Sequence, residues 1–280
     1  MSFAFFILTH GRPNKIYTLK VLNDAGVKSP IYLLVDDKDK TLPEYQEKYG
    51  DMVKVFSKDA VAKYTDVGDN FGKQNVILYA RNACFDVAKD LGIKYFIQLD
   101  DDYTGFFYRF DSNLKYCFKK MNLIEENIMA MIKFMDRSKS LSVAMAQGGD
   151  FIGGRSNPHG ESPMLLRKCM NSFVCSMDRP FKFFGNINED VNTYVKLGSL
   201  GHLMFTLSHI SLNQKQTQTN SGGMTESYLD NGTYVKSFYS VMYNPSSVKI
   251  CLMQAKNKRL HHKVHWNNAV PVIVSESLKK

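Results

Sequence analysis

The sequence predicts an α/β protein with a mostly parallel central sheet flanked by helices. Three observations predict this fold class: short continuous apolar runs, helical stripes between those runs, and polar or acidic residues directly after them. Strands that alternate with helices at this spacing form parallel neighbours, because parallel strands require crossover connections. We therefore expect residues 1–150 to form one α/β layer structure.

The first elements follow directly from the pattern. Residues 3–8 are a continuous apolar run, typical of a strand buried on both faces, and residues 9–12 break it. A proline then opens a predicted helix over 13–25, which ends at Gly26 because glycine can take the positive φ of a C-terminal cap. Residues 31–35 predict a second buried strand.

The next elements include the clearest helix of the chain. A weak helix at 43–49 precedes a short strand at 52–56, whereas 58–72 lacks a clear period and predicts a surface loop. Over 73–91, apolar residues recur at helical spacing up to a glycine cap. A buried strand at 95–99 follows and runs into three aspartates.

The second half is less regular. Apolar residues predict a helix over 124–135 and a strand over 141–146. A short acidic helix over 188–197 precedes a strand over 202–208, and a polar stretch over 213–225 leads to a basic tail. Because neither a repeat nor a linker divides the chain, we expect a single domain.

Composition limits the class of protein and of partner. The 280 residues are 44% hydrophobic and 22% charged, which is typical of globular proteins, and the formal net charge is +9. This surplus favours nucleic acid or a phosphate-bearing ligand. No apolar run reaches the roughly 18 residues that span a bilayer, and five irregularly spaced cysteines require no disulfide framework. We expect a cytoplasmic protein with reduced thiols and no membrane segment, and nothing in the sequence indicates a protein partner.

The acidic triplet after the fourth strand is the most informative motif. Ligands bind at the carboxyl ends of strands in open α/β sheets, where three adjacent carboxylates repel each other unless a cation is present. Asp100 and Asp102 point the same way on an extended chain and are suited to sharing Mg²⁺ or Mn²⁺, which in turn holds a diphosphate. A solvated turn is the alternative.

Polar residues also follow the first two strands. Backbone amides of Thr9, His10 and Gly11 and the side chain of Arg12 are suited to phosphate, while Asp36 is suited to a ribose or base. Helix-entry turns explain each residue equally well. Their convergence on one sheet edge favours a nucleotide site.

Three further charged residues carry alternative interpretations. Arg81 is expected to reach a phosphate or the acidic triplet, or to be an exposed helix residue. Glu189 and Asp190 open the acidic helix after Asn188, where they cap it or supply a general base for an acceptor hydroxyl.

A histidine cluster lies near the end of the chain. His261, His262 and His265 surround a lysine and precede Trp266, the one tryptophan of the sequence. The cluster is either a metal site or a basic surface segment. The sequence lacks the phosphate-loop, dinucleotide, nucleophile-elbow and His-Glu-x-x-His motifs, which removes most support for ATPases, dehydrogenases, hydrolases and zinc proteases.

The motif order over residues 1–210 resembles nucleotide-sugar glycosyltransferases of the GT-A fold. More specifically, three segments resemble the TET-associated glycosyltransferases, a group found in bacteriophages and inferred to add sugars to hydroxymethylated pyrimidines in DNA. The segments are Ile7-Leu8-Thr9-His10-Gly11-Arg12-Pro13, Tyr79-Ala80-Arg81-Asn82 and Gln98-Leu99-Asp100-Asp101-Asp102-Tyr103.

This resemblance implies a GT-A-like domain over 1–280, with a nucleotide-sugar half at 1–150 and an acceptor half at 151–280. The implied donor is a nucleotide-sugar, foremost a UDP-sugar, and the acceptor is hydroxymethylcytosine or a related base of DNA. The implied donor-binding residues are Thr9, His10, Gly11, Arg12, Asp36, Arg81, Asp100 and Asp101. The implied ligands of Mn²⁺ or Mg²⁺ are Asp100, Asp102, and His262 or His265. Glu189 or Asp190 would be the base, and phage encoding would place the enzyme in the host cytoplasm.

Two other functions fit the same features. A nucleotidyltransferase has a similar metal site but releases pyrophosphate, whereas a glycosyltransferase releases a nucleoside diphosphate. A catalytically silent nucleic-acid-binding protein on a transferase scaffold would bind DNA without metal and turn over no donor.

Overall fold

The computed structural model describes residues 2–69, 72, 74–215, 235–253 and 259–278. No helix within these ranges combines the length and hydropathy that a membrane crossing requires. The five cysteines lie in the same ranges and are free thiols.

Within the described residues, a nine-stranded sheet forms the centre of the fold. Its strands are β1 (Phe3–Leu8), β2 (Ile31–Asp36), β3 (Val53–Phe56), β4 (Tyr95–Asp100), β5 (Tyr103–Phe110), β6 (Tyr116–Lys120), β7 (Ser142–Gln147), β8 (Phe173–Ser176) and β9 (Met204–Gln214). They lie in the order β3-β2-β1-β4-β8-β7-β9-β5-β6. Only β8 and β5 run opposite to the other strands of this sheet. The predicted α/β fold with a mostly parallel sheet is therefore confirmed.

Helices cover both faces of this sheet. They are α1 (Tyr17–Asp24), α2 (Leu42–Tyr49), α3 (Lys58–Ala62), α4 (Leu78–Asp90), α5 (Ile124–Ser138), α6 (Pro158–Glu161), α7 (Glu189–Ser199), α8 (235–243) and α9 (Trp266–Ala269). A hairpin of β10 (Val248–Met253) and β11 (Arg259–Val264) follows α8.

The two faces of β1 enter separate hydrophobic cores. Phe6 belongs to the core under α4 and α7, whereas its neighbour Phe5 belongs to the core under α1 and α5. Successive strand residues point to opposite faces, so a strand covered on both sides is apolar throughout. This is the physical reason for the continuous apolar run at 3–8.

Several predicted boundaries are wrong. Residues 13–16 form a turn, in which the Lys15 amide donates to the Arg12 carbonyl at 3.0 Å, so α1 begins only at Tyr17. Helix α4 begins at Leu78 instead of 73. The predicted loop at 58–72 contains α3, where the Ser57 hydroxyl caps the first turn.

The sequence patterns also miss five strands, three in the sheet and two in the hairpin. β5 and β6 pair with each other at the sheet edge, and the short β8 lies between β4 and β7. The predicted strand at 202–208 extends to Gln214, and the basic tail carries the β10–β11 hairpin. Most of the polar stretch predicted at 213–225 lies outside the described residues.

Candidate active site

A cavity of about 750 Å³ opens at the carboxyl ends of β1, β2 and β4. The start of α7, helix α8 and strand β11 complete its walls. The predicted site residues that line it are Thr9, His10, Gly11, Arg12, Asp36, Arg81, Asp100, Asp101, Asp102, Glu189, Asp190 and His262. His265 is not among the lining residues. It precedes α9, and its backbone amide donates to the Ser247 carbonyl at 2.8 Å.

The acidic triplet crosses a turn and does not continue as extended chain. Asp100 ends β4, and Asp101 and Asp102 form the turn that leads into β5. The three carboxylates consequently have different surroundings. The sequence predicted that Asp100 and Asp102 point the same way on an extended chain. In the structure a turn separates them, and both residues line the cavity.

Asp101 ties the triplet to the loop after β1. Its carboxylate accepts a hydrogen bond of 2.8 Å from the Thr9 hydroxyl and one of 3.1 Å from Arg12 Nη1. Tyr45 of α2 braces the same loop, because its hydroxyl lies 2.7 Å from Thr9 Oγ1 and accepts from the Arg12 amide at 2.9 Å. Asp101 is thus engaged on both oxygens with protein groups.

Asp100 is bound to Arg81, the most deeply buried cation of the site. Arg81 is 2% exposed; its Nη2 donates to Asp100 at 3.1 Å and its Nε to Glu189 at 2.9 Å. The rings of Phe173 and Phe183 lie 5.0 and 5.8 Å from the guanidinium carbon. One arginine therefore joins α4 to β4 and α7.

Asp102 is the carboxylate of the triplet with the strongest need for a counter-charge. Burial, and then the negative charges of Asp100 and Asp101, raise its pKa to about 7. Burial is likewise the first cause that raises the pKa of Asp100 to about 6. A divalent cation between these two carboxylates would offset both effects.

Asp36 is engaged with two basic side chains. His10 Nδ1 donates to one oxygen at 2.6 Å, and Lys58 Nζ lies 2.9 Å from the other. These partners outweigh burial and lower the pKa of Asp36 to about 2. Beside them, Gly11 has a φ of +68° and donates its amide to Asp39 at 2.7 Å.

The first turn of α7 is arranged differently from a side-chain cap. Asn188 has a φ of +57° and makes no capping bond; instead its Nδ2 donates to the Lys236 carbonyl of α8 at 2.7 Å. Asp190 is buried, and its Oδ1 accepts from the Val191 amide at 2.7 Å. Burial and the Glu189 charge raise the pKa of Asp190.

His262 reaches the cavity from β11. It is buried, its Nδ1 lies 3.4 Å from Asn188 Nδ2, and its Nε2 has no hydrogen-bond partner among the described residues. Burial and neighbouring positive groups lower its pKa to about 3. A neutral imidazole with an unpartnered nitrogen suits metal coordination. However, no three His, Cys, Asp or Glu side chains within the described ranges approach closely enough to hold a metal by themselves.

The profile of the TET-associated glycosyltransferase family matches residues 3–223 of the sequence, which is most of the chain. The chain belongs to this family. The family resemblance and the enzyme class predicted from the sequence are both confirmed. The match spans every element of the cavity except α8 and β11.

Solved glycosyltransferase structures have only a weak likeness to this TET-associated glycosyltransferase. S. aureus TarS 1–349 with UDP-GlcNAc is 16% identical, with a TM-score of 0.44, covering 78% of this chain and 60% of that one. The mannosyltransferase PcManGT from Pyrobaculum calidifontis, with GDP-Man and Mn²⁺, is 11% identical, with a TM-score of 0.46 and coverages of 78% and 58%. The chain therefore matches about 60% of the length of these relatives.

Glucosyl-3-phosphoglycerate synthase from Mycobacterium tuberculosis, with Mn²⁺, UDP-Glc and phosphoglyceric acid, is 10% identical with a TM-score of 0.43. That likeness covers 98% of this chain and 88% of the synthase. No curated protein matches the sequence.

Sequence reasoning missed several site residues of this TET-associated glycosyltransferase. Asp39 and Tyr45 brace the loop after β1, and Lys168 and Lys236 line the far wall of the cavity. Asp39 follows the end of β2 closely, and this position after a buried strand could have indicated it. The other three lie far from any strand end that a buried apolar run marks.

Proposed function

We propose that the enzyme transfers a sugar from a nucleotide-sugar, foremost a UDP-sugar, to the hydroxyl of a hydroxymethylated pyrimidine in phage DNA, within the host cytoplasm. The observation that carries the proposal is one cavity that joins the acidic triplet, the loop after β1 and a buried acid on α7. The net charge of +9 supports a polyanionic acceptor.

Asp102, Asp100 and His262 are the residues that would hold a divalent metal. The unpartnered Nε2 of His262 and the raised pKa values of both carboxylates fit such an ion. A bound Mn²⁺ or Mg²⁺ supplies charge stabilisation for the nucleoside diphosphate leaving group. Because the described side chains alone do not complete a metal site, diphosphate oxygens would contribute further ligands.

The loop after β1 and the end of β2 would bind the nucleotide. Arg12 and Thr9 are held in place through Asp101, and His10 is held through Asp36. These pairs orient the hydrogen-bonding side chains before the nucleotide-sugar arrives, which lowers the entropic cost of binding. Asp36 and Asp101 thereby act as positioning residues in this proposal, with the direct contacts made by their partners.

Asp190 is the stronger candidate for the general base. Glu189 is held by Arg81 at 2.9 Å, whereas Asp190 has one oxygen engaged only with a backbone amide of its own helix. In the transfer, the acceptor oxygen bonds to the anomeric carbon, the bond from that carbon to the diphosphate breaks, and the acceptor proton passes to Asp190. The raised pKa of Asp190 improves its strength as a base.

Product analysis tests the proposal. The wild-type enzyme, Mn²⁺ and a panel of nucleotide-sugars are incubated with an oligonucleotide that contains hydroxymethylcytosine. We expect glycosylated oligonucleotide and nucleoside diphosphate from one donor, with Asp190→Asn about 10²-fold to 10⁴-fold slower. Asp178→Asn, which alters an exposed carboxylate paired with Lys94, is the matched control. Release of pyrophosphate, or full activity of Asp190→Asn, would contradict the proposal.

A further inference from the structure

Two lysines from separate elements line the cavity beyond the acidic triplet. Lys168 precedes β8, and Lys236 lies in α8. Both line the cavity with Asp190 and His262. They are half-buried, so their charges are less screened than those of fully exposed lysines.

The order of the strands separates Lys168 from the nucleotide side. In the sheet, β1 and β2 lie on one side of β4, and β8, β7 and β9 lie on the other. The loop at 9–12 and Asp36 therefore lie on the first side, and Lys168 leads into a strand of the second. Asp100 at the end of β4 marks the division.

Three cations near the acidic triplet and Asp36 are engaged with carboxylates. Arg12 pairs with Asp101, and Lys58 pairs with Asp36. Arg81 pairs with Asp100 and Glu189. By contrast, Lys168 forms no ion pair with any residue that the structure describes.

The backbones of both lysines are held by side chains of neighbouring elements. The Thr206 hydroxyl donates to the Lys168 carbonyl at 2.7 Å, and Asn188 Nδ2 donates to the Lys236 carbonyl at 2.7 Å. Asn188 directly precedes Glu189 and Asp190, so this bond places Lys236 beside the start of α7. Both lysines therefore line the cavity together with Asp190.

We propose that Lys168 and Lys236 bind a phosphate of the acceptor, adjacent to the hydroxyl that Asp190 deprotonates. The inference rests on the proposed function and extends it: the enzyme requires an acceptor with a phosphate ester, as in a nucleotide or nucleic acid, and discriminates against the free nucleoside. Compact ammonium groups on flexible stems suit this contact with a phosphodiester.

The discrimination between a phosphate-bearing and a phosphate-free acceptor tests the inference. Transfer is measured to a trinucleotide with central hydroxymethylcytosine and to hydroxymethyl-deoxycytidine, at saturating donor. In the double variant Lys168→Met/Lys236→Met we expect kcat/KM for the trinucleotide to fall at least tenfold and that for the nucleoside to change less than twofold. The double Lys→Arg variant should restore the preference, because it keeps both charges.

The donor diphosphate is the other phosphate that these lysines face. UDP inhibition and the KM for the donor are measured in the same variants, and both should stay within twofold of wild type. If the donor constants rise, and the two acceptors lose activity equally, the lysines serve the donor and the inference is overturned. Lys133→Met, on the exposed face of α5, is the matched control.

A binding experiment separates this inference from the proposed function. Anisotropy of a labelled single-stranded 12-mer is measured against salt concentration without donor. The double Met variant, checked for an unchanged melting temperature, should bind at least tenfold more weakly, with a salt slope reduced by about 0.7 because one phosphate is no longer neutralised. Unchanged binding would overturn the inference even if transfer is active. Absent transfer with the expected binding change would contradict only the proposed function.

Discussion

Arg81 holds together the acidic wall of the cavity. The guanidinium lies between Asp100 and Glu189, and its stacking partners Phe173 and Phe183 exclude water from one side. A buried arginine with two carboxylates is a charge network whose members depend on each other, because each lost partner leaves an uncompensated charge in a medium of low dielectric constant. Helical position alone suggested an exposed residue, since periodicity cannot reveal an ionic partner 108 positions away.

Arg81→Met should lower the free energy of unfolding by about 3–5 kcal/mol, because it leaves Asp100 and Glu189 without their cation. Arg81→Lys should fall between this variant and wild type, since one ammonium group cannot reproduce both directional contacts. Urea denaturation followed by far-UV circular dichroism measures the effect. Arg137→Met, in the exposed last turn of α5, is the control and should change stability by less than about 0.5 kcal/mol. If Arg81→Met is as stable as wild type, the network does not stabilise the fold.

At the residue scale, the sequence predicted which groups converge better than it predicted their partners. The position of Asp36, Asp101 and Arg12 after buried strands was enough to place them at one sheet edge. The pairing of Arg12 with Asp101, and of Asp36 with His10 and Lys58, was not predictable, because a strand end specifies a location but not a side-chain direction. His265 stays a predicted ligand that lies outside the cavity lining: it is three positions from His262, but it follows the end of β11 instead of lying on it.

At the element scale, helix α7 is positioned by close packing against α9. Gly198 faces the backbone of α9 so closely that an added Cβ atom would lie 2.0 Å from the Ala269 carbonyl oxygen. The same helix carries Glu189 and Asp190 at its other end. The contact with α9 therefore helps to fix the position of both acids in the cavity. The parallel strands and long helices were predictable from apolar runs and stripes. The antiparallel β5 and β6 were not, because β6 is largely exposed and carries little apolar pattern.

Gly198→Ala should destabilise the protein by about 1–3 kcal/mol, since the Ala269 carbonyl cannot move without displacing α9. Alanine is a better helix former than glycine by about 1 kcal/mol, so any net loss reports the clash. Thermal unfolding with calorimetry measures it. Ser199→Ala, at the adjacent exposed position, is the matched control. A Gly198→Ala protein that is more stable than wild type would show that α7 and α9 are not in close contact.

At the scale of the whole molecule, a basic protein encloses an acidic cavity floor. The net charge is +9, yet Asp100, Asp101 and Asp102 lie together at the centre of the fold. The net charge favours an anionic partner but does not locate its binding site, because a sum does not describe where charges lie. In the function proposed above, the triplet faces a cation and diphosphate, and Lys168 and Lys236 face the acceptor.

The proposed roles of the triplet predict that metal and nucleotide bind cooperatively. Burial raises the pKa of both Asp100 and Asp102, and the charge of Asp100 raises that of Asp102 further, but the described side chains do not complete a metal site. Mn²⁺ alone should therefore raise the melting temperature only slightly. Mn²⁺ with UDP should raise it by several degrees and by more than the sum of the separate shifts, because a ligand at about 100 times its Kd adds about 2.7 kcal/mol of stability.

Differential scanning fluorimetry at pH 7.5 measures the four combinations of Mn²⁺ and UDP in wild type, Asp102→Asn and the exposed control Asp51→Asn. Asp102→Asn should lose the cooperative part of the shift and keep its basal melting temperature or exceed it, because the substitution removes one of two repelling carboxylates. Additive shifts in wild type, or an undiminished cooperative shift in Asp102→Asn, would mean that the ion binds elsewhere. The readout requires no turnover, so it tests the cation site independently of the donor sugar and of the acceptor.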